Sequence, residues 1–231
     1  MRFTTAVVLS TLALAGCEVN LNTEGLSTRE AKTFAVTGRP EVSLDTFDGA
    51  IELHSWDRND VEVEVEKRAM EQTLLDEIKV STEQKGNAIV VKVTGPSARE
   101  RHHGLTVGVS ISPQAKLRVV VPRNANISAS SGDGSIRATI QADTVMADNW
   151  DVSTSDGSVV VSLPGTFSAD LDAETSDGVV RAKHPLIADD REDRRGDKSK
   201  RESRRSLRQK MGDGGKTFRI RTGDGTIRIE G

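Results

Sequence analysis

One cysteine, no tyrosine, two tryptophans and five phenylalanines are all that a chain of 231 residues carries of those types. A lone thiol cannot close an internal disulfide, so the fold has no covalent framework. With so few rings, the chain is not built around large aromatic anchors. No apolar run approaches the roughly 20 residues that a permanent membrane-spanning helix needs. The Gly-x-Ser-x-Gly elbow, the P-loop and the His-Glu-x-x-His helix are all missing, and with them the common routes to acyl transfer, nucleotide hydrolysis and zinc proteolysis. A net charge of −3 offers no basic excess, which argues against nucleic acid as a partner. The expectation is a non-catalytic protein with no cofactor and no metal.

What is present begins at the N-terminus. Met1-Arg2 is a short basic stretch, and Phe3 to Ala15 is uncharged and mostly apolar. That run has the length of a secretory signal and not of an anchor helix. It ends in Leu14-Ala15-Gly16-Cys17, which resembles the lipobox of bacterial lipoproteins. The resemblance implies cleavage before Cys17, acylation of its thiol, and retention at the cell envelope, on the periplasmic face or the cell surface. The expected division is a signal peptide over 1–16, a tether over 17–32, and one domain over 33–231. Cleavage removes one base and no acid, taking the charge from −3 to −4.

A repeat governs the rest. Asp-Gly recurs at Asp48, Asp133, Asp156, Asp177 and Asp224 in a common context. A hydroxyl stands two residues earlier (Thr46, Ser131, Thr154, Thr175, Thr222). Residues four and six earlier are mostly apolar, as in Leu44 and Val42, and so are those three and five later, as in Ile51 and Leu53. Alternation on both flanks predicts two short strands with one buried face each. The Asp-Gly supplies a corner, since glycine accepts positive φ and aspartate can bond its own backbone. Steps of 23 and 21 residues separate Asp133, Asp156 and Asp177. They predict a β-solenoid, or β-helix, with coils of about 21–23 residues and a ladder of stacked hydroxyls. A sandwich of hairpins has the same side-chain parity; the near-constant spacing favours the solenoid. Val61, Val63, Val65, then Ile89, Val91, Val93, then Val107, Val109, Ile111 and then Leu117, Val119, Val121 predict irregular, partly antiparallel strands in the N-terminal half. Trp56 reads as a core plug.

These residues resemble the bacterial "putative adhesin" β-helix family of exported proteins, over roughly residues 33–231. The resemblance rests on Thr46-Phe47-Asp48-Gly49-Ala50-Ile51, Trp56, Val61-Glu62-Val63, Val119-Val120-Val121-Pro122, and the later Asp-Gly units. It implies a surface or periplasmic module that touches other molecules.

One segment departs from that pattern. Residues 189–216 hold eleven bases and seven acids and read as a charged insertion looped out from one coil. Leu207 and Met211, one helical step apart, suggest no amphipathic face. His102-His103 reads as a surface loop, with His54 and His184 isolated. The leading expectation is a lipid-anchored binding or structural module that joins the membrane through Cys17. Its partner would be an envelope or surface macromolecule, an anionic one among the candidates. The alternative is a carbohydrate-active β-helix enzyme, of polysaccharide lyase or hydrolase type, using Asp156, Asp177 and Arg181. The anchor is directly testable: Cys17→Ser should abolish acylation, seen by mass spectrometry of the N-terminus. The variant should then be recovered soluble or with its signal retained, and a wild-type chain with a free Cys17 thiol would refute the lipobox reading.

Overall fold

The computed structural model describes residues 18–22, 25–96, 112–140, 149–187 and 205–231. Cys17, His102, His103 and residues 189–204 of the charged segment lie outside them. In chain order the elements are β1 (Glu18–Asn22), β2 (Gly25–Ala35), β3 (Glu41–Asp48), β4 (Ile51–Trp56), β5 (Asp60–Ala69) and a short helix α1 (Gln72–Glu77). Then come β6 (Lys79–Lys85), β7 (Ala88–Thr94), β8 (Gln114–Pro122), β9 (Asn126–Asp133) and β10 (Ile136–Thr139). The remainder are β11 (Asn149–Asp156), β12 (Val159–Ser162), β13 (Ala169–Lys183), β14 (Ser206–Met211) and β15 (Thr217–Glu230). The chain is all-β, as its alternating pattern requires.

It is not the expected β-solenoid. All fifteen strands belong to one mixed sheet, rolled into a nearly closed, barrel-like shell. The path through it runs β1-β2-β5-β8-β4-β10-β12-β15-β11-β9-β3-β7-β6, with β13 and β14 beyond β15. Two findings overturn the sequential coil. First, the Asp-Gly units pair in parallel register but out of chain order. Asp48 lies beside Asp133, Asp156 beside Asp224, and Asp177 on the other side of Asp224. The C-terminal unit is thus wedged between two units that follow each other in sequence. Second, antiparallel pairing, expected for some N-terminal strands, takes in β1 and β2 as well as β5 and β6. Residues 18–32, read as tether, carry β1 and most of β2. The shell is almost closed where Lys32 Nζ donates to Thr82 Oγ1 (2.7 Å) and Gln84 Nε2 to the carbonyl of Ala35 (2.9 Å).

The core follows from the period of two. On β3 and β4 the inward residues are Val42, Leu44, Ile51 and Leu53, all essentially buried, and equivalents repeat in every unit. Leu75 and Ile78 of the α1 region add to the same cluster. Trp150, Phe218 and Phe167 meet edge to face, with centroids 5.7 and 6.3 Å apart, a favoured quadrupole geometry. The Trp150 indole satisfies its N–H on the carbonyl of Ala125 (3.0 Å). Trp56 is not a core plug: it is half-buried, with the Arg58 guanidinium 3.4 Å over its ring. Leu207 and Met211 are buried on β14, which pairs antiparallel with β13. Their spacing of four is two strand periods and puts both on the inward face. The last part of the charged segment is therefore sheet.

The corners are held by a repeated hydrogen bond. Ser131 Oγ donates to the carbonyl of Gly49 (3.0 Å), Thr154 Oγ1 to Gly134 (2.7 Å), Thr222 Oγ1 to Gly157 (2.8 Å) and Thr175 Oγ1 to Gly225 (3.1 Å). Each buried hydroxyl thus caps the glycine of the adjacent unit. Positive φ explains the glycine only at Gly49 (φ 113°). At Gly134, Gly157, Gly178 and Gly225 the cause is space, because a Cβ would overlap the neighbouring corner carbonyl. Gly157→Ala should therefore destabilise by about 1–3 kcal/mol through overpacking. Asp156 is exposed, so Asp156→Asn should stay within about 0.5 kcal/mol, as surface changes do. Thermal unfolding of both variants checks the contrast, and equal effects would contradict it.

Candidate functional site

Outward positions of the parallel strands β7, β3, β9 and β11 carry mostly short side chains. In adjacent rows stand Ala88 and Val90, Glu41 and Ser43, Asn126 and Ser128, Asn149 and Asp151. Short side chains on a pleated surface leave it hollow, and here they leave a shallow open trough of about 380 Å³. Its floor is strand backbone, so it is as rigid as the sheet. Asn126 is oriented by the backbone N–H of Asn149, which donates to its Oδ1 (3.4 Å). One flank is Asp151, paired with Arg219 at 3.1 Å. The next row is tied by Asp45, which accepts from Ser130 Oγ (2.9 Å) and faces Lys92 at 3.6 Å. Val90, one of two exposed large hydrophobics among the described residues, stands at 45 % exposure on the opposite flank. The trough thus offers hydroxyls, amides, a carboxylate and one apolar wall. That chemistry suits a polyol or an extended peptide, with polar groups fixing orientation over a carbon surface.

The residues of the enzymatic alternative do not converge. Asp156 and Asp177 flank Asp224, two strand spacings or roughly 10 Å apart. Arg181 lies on β13 past the corner, beside Arg228. The side chains of Asp133, Asp156 and Asp224 are exposed and make no hydrogen bond or ion pair among the described residues; that of Asp177 faces Arg205 at 3.7 Å. The self-bonded aspartate turn expected at each corner is therefore not what these residues form. Among the described residues no three His, Cys, Asp or Glu groups gather as a metal site. His184, buried, accepts from the N–H of Leu186 at Nδ1 (3.1 Å) and lies 3.1 Å from the Pro164 carbonyl at Nε2. Its role is to fasten a turn. His54 sits half-buried on the outer face of β4.

Comparison with known proteins now has a fold to rest on. The structure is similar to that of a putative cell adhesion protein from Clostridium sporogenes, at 14 % identity and a TM-score of 0.53. The match covers 88 % of this chain and 99 % of the other. Identity at that level speaks to fold alone. A putative adhesin from Parabacteroides distasonis (14 % identity, TM-score 0.25, 67 % of this chain and 60 % of the other) superposes only loosely. So does a putative lipid binding protein from the same species (12 %, TM-score 0.26, 87 % and 96 %). No family model and no curated protein matches the chain.

The trough continues into a charged row whose energetics are readable. Arg221 Nη2 donates to Asp172 Oδ2 (2.7 Å) and Arg208 Nε to Asp172 Oδ1 (3.1 Å). The Arg221 hydrogen bond, helped by Arg208 and opposed by burial, holds the Asp172 carboxyl below its ordinary 3.8. A lowered folded pKa stabilises the fold above the unfolded value, and that stabilisation is lost as pH falls through the folded one. Asp172→Asn should cost up to about 1 kcal/mol at pH 7, the scale of partly exposed pairs. The gap between wild type and variant in urea unfolding should shrink below about pH 4; a gap independent of pH would contradict the ion pair.

Proposed function

We propose that this chain is a non-catalytic binding module of the bacterial cell envelope, held to the membrane through a lipid on Cys17. The observation that carries the reading is the trough over β7, β3, β9 and β11, a rigid, open recess lined by Ser43, Asn126, Ser128, Asp151 and Val90. An open recess suits a macromolecular partner that is grasped and released unchanged. Catalysis would ask for two carboxylates in unlike surroundings, commonly about 5 to 9.5 Å apart for glycoside hydrolysis. In the trough, Glu41 and Asp151 stand on strands separated by β9 and two residues apart along the register, and Asp151 is neutralised by Arg219. Likeness in fold to a putative cell adhesion protein is consistent with this reading, and the lipobox at Leu14 to Cys17 supports retention at the envelope. The partner is an envelope or surface macromolecule and not a nucleic acid.

Ser128 points out at the trough floor, so Ser128→Trp should fill it without touching the core. The expected result is unchanged circular dichroism and melting, with at least tenfold weaker binding to washed envelope fragments of the native cells. Undiminished binding would remove the trough from the reading, and release of reducing sugar from those fragments would overturn the non-catalytic assignment.

A further inference from the structure

The second half of the sheet presents another face, formed by β2, β5, β8, β4, β10, β12 and the distal parts of β15 and β13. At its N-terminal side the charges alternate from strand to strand and are consumed locally. Arg29 pairs with Glu64 and Glu66, Lys116 and Arg118 with Glu52, at 2.8 to 3.4 Å. Burial pushes the Glu52 carboxyl up, but Lys116 and Arg118 outweigh it and hold it below 4.5. Beyond Glu52 the alternation breaks. Along one row follow Arg137 on β10, Val160 on β12, Arg228 on β15 and Arg181 on β13. Val160 stands where an acid would continue the pattern, and two arginines face each other on adjacent parallel strands. Lys183 lies in the next row beside Glu230, which at 3.8 Å from Arg228 is the one acid there. The side chains of Arg137, Arg181 and Lys183 are exposed and make no hydrogen bond or ion pair among the described residues.

Like charges directly opposite on neighbouring strands, about 4.8 Å apart, are unfavourable. Violations of local pairing rules concentrate where a site needs them. Guanidinium groups bind carboxylate, sulfate or phosphate through paired N–H donors. The row is one-dimensional: from Arg137 to Arg181 it spans three strand spacings, roughly 14 Å, on rigid sheet. The adjoining row supplies hydroxyls, Thr139 and Ser162. We propose that Arg137, Arg228, Arg181 and Lys183 form a binding site for a linear acidic polysaccharide, laid across the strands with its anionic groups on the arginines and its hydroxyls toward Thr139 and Ser162. A membrane surface would call for a broad basic field, and Glu230 interrupts one here. This assignment rests on the binding-module reading and names a second surface for it.

The test uses the full mature chain in detergent with heparin and alginate as probes, dextran as the neutral control. Wild type should bind both polyanions and not dextran, with affinity falling as salt screens the charges. Arg137→Ser/Arg181→Ser should weaken polyanion binding at least tenfold, with an unchanged melting profile. Ser128→Trp should bind the polyanions as wild type does, so failure of the trough leaves this site standing and the reverse. Equal polyanion binding by wild type and the arginine double variant would overturn the proposal. So would a wild-type preference for phosphatidylglycerol over phosphatidylcholine vesicles that the double variant loses while neither polyanion binds.

Discussion

The hydrogen bond from a buried hydroxyl to the corner carbonyl of the adjacent unit is the contact on which the molecule is organised. Ser131, Thr154, Thr222 and Thr175 each make it. A buried hydroxyl without a partner would cost about 1–3 kcal/mol, so the donor fixes the register of one unit on the next. Slipping by one residue would strand the hydroxyl and turn every core side chain outward. The glycine that receives the bond must also admit the carbonyl of its neighbour, which leaves no room for a Cβ. Register, core and corner are thus one constraint expressed three times.

That constraint also explains how much of the fold could be read from the chain. Strand positions, inward residues and the hydroxyl column follow from period two and the Asp-Gly motif, and the structure stacks Thr46, Ser131, Thr154, Thr222 and Thr175 in register. The order of stacking does not follow, because every unit carries the same donor and the same glycine. Any unit can sit on any other, and spacing along the chain says nothing of which does. Sequence proximity suggested Asp177 beside Asp156, whereas Asp224 lies between them. The strand at Leu207 and Met211 was hidden by the charge around it, which drew a helical period over residues that alternate in twos.

The candidate surfaces were less legible for a related reason. Inward residues declare themselves by hydrophobicity, while outward ones are read only once neighbours are known. Ser43, Ser128 and Asp151 occupy the variable positions of the repeat, and only the register puts them in one hollow. The same positions in the other two units carry Asp172 and Arg219, so alignment of the repeats alone does not mark the hollow. Arg181 and Arg228 could be seen as equivalent positions of two repeats, but their adjacency depends on the stacking order that the chain leaves open.

The two faces divide the molecule in a way that follows from its corners. Because β13 and β15 run through the Asp-Gly without a break, each contributes to both halves of the sheet, and its outward residues belong to different surfaces on either side. On β15, Arg219 serves the flank of the trough through Asp151, while Arg228 belongs to the basic row. The core between them is packed by Phe218, Ile220, Ile227 and Ile229, all fully buried, so an outward substitution on one face leaves the packing beneath the other untouched. A stack built on an internal hydrogen bond and an internal apolar column leaves its outer positions out of the core packing. Those positions can then carry a hollow on one side and a row of arginines on the other without competing for the same residues.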